Sequence, residues 1–91
     1  MDKPKLVKLV QTGFACPSQW EGKLDDGRMI YIRYRWGVLS ISVSPEPTDD
    51  IMDAVGGEEI FGTIMGDGFD GYLEEAKLMP ILKNFFEIDL Q

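Results

Sequence analysis

Two turn signals, Asp25-Asp26-Gly27 and Trp36-Gly37, cut the stretch from Gln19 to Ser44 into three short runs. Each run alternates between apolar and polar residues, which is the pattern of a half-buried strand. A three-residue loop at Asp25-Asp26-Gly27, with Gly27 in the left-handed region, sets Leu24 opposite Arg28, Gly22 opposite Ile30 and Trp20 opposite Ile32. Closing the next hairpin at Trp36-Gly37 sets Arg35 opposite Val38, Tyr34 opposite Leu39, Ile32 opposite Ile41 and Ile30 opposite Val43. Side chains alternate with period two, so one face then collects Trp20, Ile30, Ile32, Tyr34, Leu39, Ile41 and Val43. The other collects Tyr31, Arg33, Arg35, Val38, Ser40 and Ser42. Two hairpins registered independently agree on a single apolar face, as an antiparallel sheet with one wet face requires. Trp36 resists the positive φ of a two-residue turn; a four-residue loop keeps the same register and removes that conflict.

The flanks read more loosely. Lys5 to Gln11 is a strand candidate, and Thr12 to Ser18 is a connection through Gly13 and Pro17. Pro45-Glu46-Pro47 ends the sheet, because proline cannot donate to a ladder. Thr48 is placed to cap a short helix over Asp49 to Val55, stopped by Gly56-Gly57. Glu59 to Met65 suits a strand or a buried loop. Asp70 is placed to cap a helix from Gly71 to about Met79 that ends at Pro80. Asn84 to Leu90 alternates again and predicts a final strand. The expected fold is therefore α+β: an antiparallel meander of four to five strands with one or two short helices, formed by residues 1–91 as one domain.

The composition narrows the chemistry. The 91 residues contain no histidine and one cysteine, Cys16. No Ser–His or Cys–His pair and no histidine-bearing zinc site can be built, and no internal disulfide can form. No apolar run approaches the ~20 residues of a membrane span. Leu6 to Val10, interrupted by Lys8, is too short for a signal-peptide core. Gly13-Phe14-Ala15-Cys16 departs from a lipoprotein site, since Gly13 stands where an aliphatic residue belongs. A cytoplasmic protein with a reduced thiol is the expectation.

Motif matches are weak. Gly66 to Gly71 spells G-x-G-x-x-G, but Asp67 and Asp70 would sit against a pyrophosphate and no βαβ unit follows. Set as a calcium loop with Gly71 at the sixth position, the same stretch offers Asp70 alone as a correctly spaced ligand. The carboxylate pairs Asp25/Asp26, Asp49/Asp50, Glu58/Glu59 and Glu74/Glu75 fit turns and helix starts better than a converging acid–base couple. The expectation is a non-enzymatic chain with no cofactor and no metal.

The distribution of charge is less ordinary. Residues 1–44 hold seven bases and four acids, for +3, while residues 45–91 hold two bases and twelve acids, for −10, which together give the net −7. Segregated acids attract a partner with a basic surface, including one that normally grips phosphates, and disfavour direct nucleic-acid binding. The candidate partner-binding residues are Asp49, Asp50, Asp53, Glu58 and Glu59, with Trp36 as an apolar anchor. A second candidate site is the strand face bearing Tyr31, Arg33 and Arg35, with Trp36 at its end, which suits a nucleotide or another anion. Against both stands internal pairing, in which the acidic half packs on the basic sheet and neutralises Arg33 and Arg35. A third reading is a homo-oligomer, with a dimer through a sheet edge as its simplest form.

The residues Gln19-Trp20-Glu21-Gly22, Asp26-Gly27-Arg28 and Ile30-Tyr31-Ile32-Arg33-Tyr34-Arg35-Trp36-Gly37 resemble a group of small phage and mobile-element proteins over about a third of the chain. The resemblance carries no catalytic motif. It implies an inhibitor of a host defence protein, in the manner of anti-CRISPR proteins, acting in the host cytoplasm.

Overall fold

The computed structural model describes residues 3–14, 17–66 and 72–90. Its architecture is α+β: six strands in one mixed sheet with two helices. Strands β1 (Lys5–Phe14), β2 (Ser18–Leu24), β3 (Met29–Arg35), β4 (Val38–Val43) and β5 (Glu58–Ile64) form an antiparallel meander. A short helix α1 (Met52–Val55) lies between β4 and β5. Helix α2 (Glu75–Leu82) then carries the chain back to β6 (Glu87–Ile88), which pairs with β1. The strand order is β5-β4-β3-β2-β1-β6.

The two central hairpins have the register that the turn signals imply. Trp20 pairs with Ile32, Ile32 with Ile41, and Ile30 with both Gly22 and Val43. At the first turn Gly27 takes φ 92°, and its N–H reaches the Leu24 carbonyl at 3.0 Å. The second turn takes the two-residue form that the Arg35–Val38 pairing implies, not the four-residue alternative. Arg35 pairs directly with Val38, so Trp36 (φ 57°) and Gly37 (φ 74°) form a two-residue turn. Positive φ at both central residues matches the right-handed twist of the strands, and the tryptophan meets that requirement despite its Cβ.

Other expectations need correction. The sheet has six strands and is not wholly antiparallel, because β6 runs parallel to β1 with Leu6 opposite Ile88. The chain leaves β5 at one edge and crosses the apolar face as α2, so it arrives at the far edge running in the same sense as β1. β1 continues past Gln11 to Phe14, into the stretch expected to be a connection. α1 is four residues rather than seven, because Asp50 turns its carboxylate to the Met52 N–H. α2 starts at Glu75 and retains Pro80 inside its last turn. Glu74 is its N-cap residue and makes no side-chain capping bond. The expected cap Asp70, the glycine-rich stretch from Asp67 to Gly71 and Cys16 lie outside the described residues.

The core sits on one side of the sheet. Leu6, Trp20, Leu24, Ile30, Ile32, Tyr34, Leu39, Ile41 and Val43 are at most 5% exposed, and Leu73, Leu78, Leu82 and Phe86 close over them. Each fully buried aliphatic side chain contributes about 1.5–3 kcal/mol relative to exposure. Trp20 is wholly buried, and its indole N–H donates to Glu75 Oε1 at 3.2 Å, tying β2 to the start of α2. The buried Ser18 hydroxyl donates to the Phe14 carbonyl and accepts from the Leu73 N–H, both at 3.0 Å.

Residues 45–57 take a different course, around the end of the sheet to its other face. The Ser44 hydroxyl accepts from the Met29 N–H and donates to the Glu46 carbonyl. The Thr48 N–H reaches the Gly27 carbonyl at 3.1 Å. Asp49 then pairs with Lys23, whose strand neighbours Gly22 and Leu24 both face the core, so Lys23 itself faces away from it. α1 packs on β3 and β4 there through the buried Ala54.

Gly57 marks the tightest point of this path. A Cβ on Gly57 would lie 2.8 Å from the Val43 carbonyl carbon and 3.0 Å from the Asp53 carbonyl oxygen. A Cβ on neighbouring Gly56 meets only the Met52 carbonyl oxygen, at 3.6 Å. Gly57→Ala should therefore destabilise the fold by about 1–3 kcal/mol in urea denaturation. Gly56→Ala should be neutral or stabilising by up to about 1 kcal/mol.

Candidate functional site

The acidic candidates fall into two groups. Asp49, Asp50 and Asp53 share one compact loop whose shape their own carboxylates help to set. The Thr48 hydroxyl donates to Asp53 Oδ2 at 2.6 Å and accepts from the Asp50 N–H at 3.0 Å. Asp50 Oδ1 accepts from the Met52 N–H at 3.0 Å. Hydroxyl and carboxylate side chains satisfy backbone donors at a helix start, which is why this Thr-Asp-Asp run closes a turn rather than extending α1. Asp49 projects outward, its side chain 94% exposed, with Lys23 Nζ 2.5 Å from Oδ1.

Glu58 and Glu59 begin β5 and are both exposed. They leave the strand on opposite faces. Glu58 is opposite Val43, a core-face residue, and lines a cavity with Arg28 and Phe86. Glu59 is opposite Ser42 on the second face. The loop acids and Glu59 thus belong to one side of the molecule, and Glu58 to the other. Residues 45–59 contain six acids (Glu46, Asp49, Asp50, Asp53, Glu58, Glu59) and no base.

Two apolar side chains sit within the same loop region, and sequence reasoning passed over them. Met52 is 63% exposed and Val55 41%. A helix of only four residues turns just one of them, Ala54, fully inward. The shortness of α1 is the signal that leaves Met52 and Val55 outside. The anchor expected from sequence, Trp36, lies at the opposite end of β3, about 20 Å along the strand from Met29. It does not share the acidic loop's surface.

The second candidate face is half-buried at Tyr31, Arg33 and Arg35, and the C-terminal segments pack on the core side rather than over it. Arg33, Arg35, Trp36, Val38 and Ser40 line a groove of about 200 Å³. The Arg35 guanidinium carbon lies 4.8 Å from the centre of the Trp36 ring. Tyr31 is not in this groove; its hydroxyl accepts from Gln19 Nε2 at 2.6 Å.

Two ion pairs form between described residues, Lys23–Asp49 and Arg28–Asp26 at 2.7 Å. Neither involves Arg33 or Arg35. Among the described residues, internal neutralisation of the sheet arginines by the acidic half is not what the fold does. No group of three or more acidic or cysteine side chains converges as a metal site among the described residues. Nor, among the described residues, is any helix long and apolar enough to cross a membrane. Comparison of the chain with protein-family models, curated proteins and solved structures finds no match.

The Lys23 ammonium hydrogen-bonds Asp49 and attracts its charge, which holds the Asp49 carboxyl below the usual aspartate range. A lowered folded-state value means that the pair's contribution is present above the ordinary aspartate range. It is lost as pH falls through the lowered value. Full exposure keeps that contribution small. In a carboxyl NMR titration, Lys23→Met should raise the Asp49 midpoint toward that of an ordinary aspartate.

Proposed function

We propose that this protein is a non-enzymatic binding protein that docks the acidic stretch 46–59, through the face bearing Asp49, Asp50, Asp53 and Glu59, on the basic surface of a partner protein. The observation that carries the reading is the near absence of compensation. Of the six acids in that region, Asp49 alone pairs with a base among the described residues. A solubilising surface would intermix the signs. A loop that concentrates one sign steers encounter with the opposite one.

Met52 and Val55 supply what charge alone cannot. Screening confines exposed charges to a range of about 8 Å at physiological ionic strength, so acids chiefly set approach and register. Apolar side chains that become desolvated on contact hold the complex together. The loop offers both within one rigid turn, closed by Thr48, Asp50 and Asp53.

The resemblance of the hairpin region to phage and mobile-element proteins supports a more specific form. The partner would be a host defence protein whose phosphate-binding surface the loop occupies, which makes the protein an inhibitor that imitates nucleic-acid charge. The charge pattern disfavours direct nucleic-acid binding by the chain itself.

The test needs variants that remove charge without opening the loop. Asparagine keeps the acceptor oxygen that Asp50 and Asp53 use, so the triple variant Asp49→Asn, Asp50→Asn, Asp53→Asn should fold with an unchanged circular dichroism spectrum. Affinity capture from a bacterial lysate at moderate salt should recover a basic protein with the natural chain, and at least tenfold less of it with the triple variant. Equal recovery by both would refute docking through the acidic loop.

A further inference from the structure

We propose that the groove at the Trp36 end of the sheet is a binding site for a nucleoside phosphate. Arg33 and Arg35 would hold the phosphate, and the Trp36 indole would stack on the base. The proposal is separate from the acidic loop, which lies at the other end of the same face.

The groove differs in charge from other cavities of the molecule. The cavity near Lys23 includes Glu21 and Asp49, that near Tyr34 includes Glu74, and that near Phe86 includes Glu58. The Arg33 groove is lined by two arginines, a serine, a valine and the tryptophan, with no carboxylate. In a chain of net charge −7, a concavity with two cations and no acid is a place that favours an anion.

Arg33 and Arg35 stand two residues apart on one strand, so both leave the same face of β3 about 7 Å apart at the backbone. Ser40, opposite Arg33, adds a hydroxyl. Arg33 Nε is enclosed and has no hydrogen-bond partner. A buried guanidinium N–H without an acceptor is unfavourable, and a side-on oxyanion bonded to Nε and a terminal nitrogen satisfies it after a small turn of the side chain. Among the described residues no acid forms an ion pair with either arginine.

Trp36 makes the site more than an anion hole. Its backbone is held at φ 57°, a conformation that bulky side chains seldom adopt, and the residue remains 56% exposed. Arg35 lies over the ring, which orients the guanidinium beside the groove. The exposed remainder of the indole is available to a purine. The groove's volume accommodates a phosphate and part of a sugar, so the base lies outside it on the indole.

The probes are adenosine 5′-monophosphate, inorganic phosphate and adenosine. Trp20 is fully buried, so a ligand that stacks on an indole at the surface acts on Trp36 emission. The monophosphate should quench that emission saturably and shift the backbone amides of Arg33, Arg35 and Ser40. It should bind about tenfold more tightly than inorganic phosphate or adenosine. Arg33→Ala should weaken it about tenfold or more, and Arg35→Ala, on the exposed hairpin, should do the same if the first variant folds poorly. Trp36→Leu should leave phosphate binding intact and erase the preference for the nucleotide.

Absence of saturable amide shifts up to about 10 mM monophosphate would overturn the proposal. Binding that is unchanged in both arginine variants would overturn it as well. Equal affinity for inorganic phosphate and the monophosphate would contradict the role of Trp36. None of these outcomes depends on whether the acidic loop finds a protein partner.

Discussion

Burial of one face of the meander beneath α2 and Phe86 is the interaction on which the rest of the structure depends. Leu78 and Leu82 reach no water, and neither do Trp20, Ile30, Ile32, Leu39 and Ile41 beneath them. Because only this face has a helix long enough to cover it, the charged side chains are driven to the turns, the edges and the second face. The bond from the Trp20 indole to Glu75 shows how closely the cover is keyed to the sheet. The same crossing brings the chain from β5 to the far edge of the sheet, where β6 pairs in parallel with β1.

The second face is therefore where the molecule can be read by others. It has two ends of opposite character. At the Met29 end, residues 45–57 fold back and present Asp49, Asp50 and Asp53 around Met52 and Val55. At the Arg35 end, two guanidiniums and an indole surround a groove without acids. The ends are about 20 Å apart along β3, well beyond the screening length at physiological ionic strength, so each acts on its own surroundings. A net charge of −7 describes neither of them.

The part of the fold that was legible in the sequence is the part governed by period two and by turn chemistry. Once Gly27 is placed in the left-handed region, Gly22–Ile30 and Trp20–Ile32 follow, and the Trp36-Gly37 turn independently sets Ile32–Ile41 and Ile30–Val43; each is present. Trp36 was legible as a conflict but not in its outcome: strand twist outweighed the preference of a tryptophan against positive φ. Farther along, local signals competed with tertiary ones. The alternation of Phe86 and Ile88 was visible, yet nothing local names β1 as the partner or sets a parallel sense. Pro80 signals an ending, and packing of Leu82 carries α2 past it.

The candidate sites divide in the same way. The acidic run was legible as composition, and its first three aspartates do share a loop. Glu58 and Glu59 do not stay together, because neighbours on a strand leave opposite faces, and a residue had to be known as strand before that could be applied. Met52 and Val55 were hidden by the assumption of a longer helix. The most direct test of the two-ended face is amide hydrogen exchange of the protein, alone and bound to the protein it captures from lysate. Docking through the acidic loop requires added protection over residues 48–59, with Arg33 to Val38 unchanged. Protection confined to the Trp36 end, or to the β5 edge at Ile64, would contradict the account.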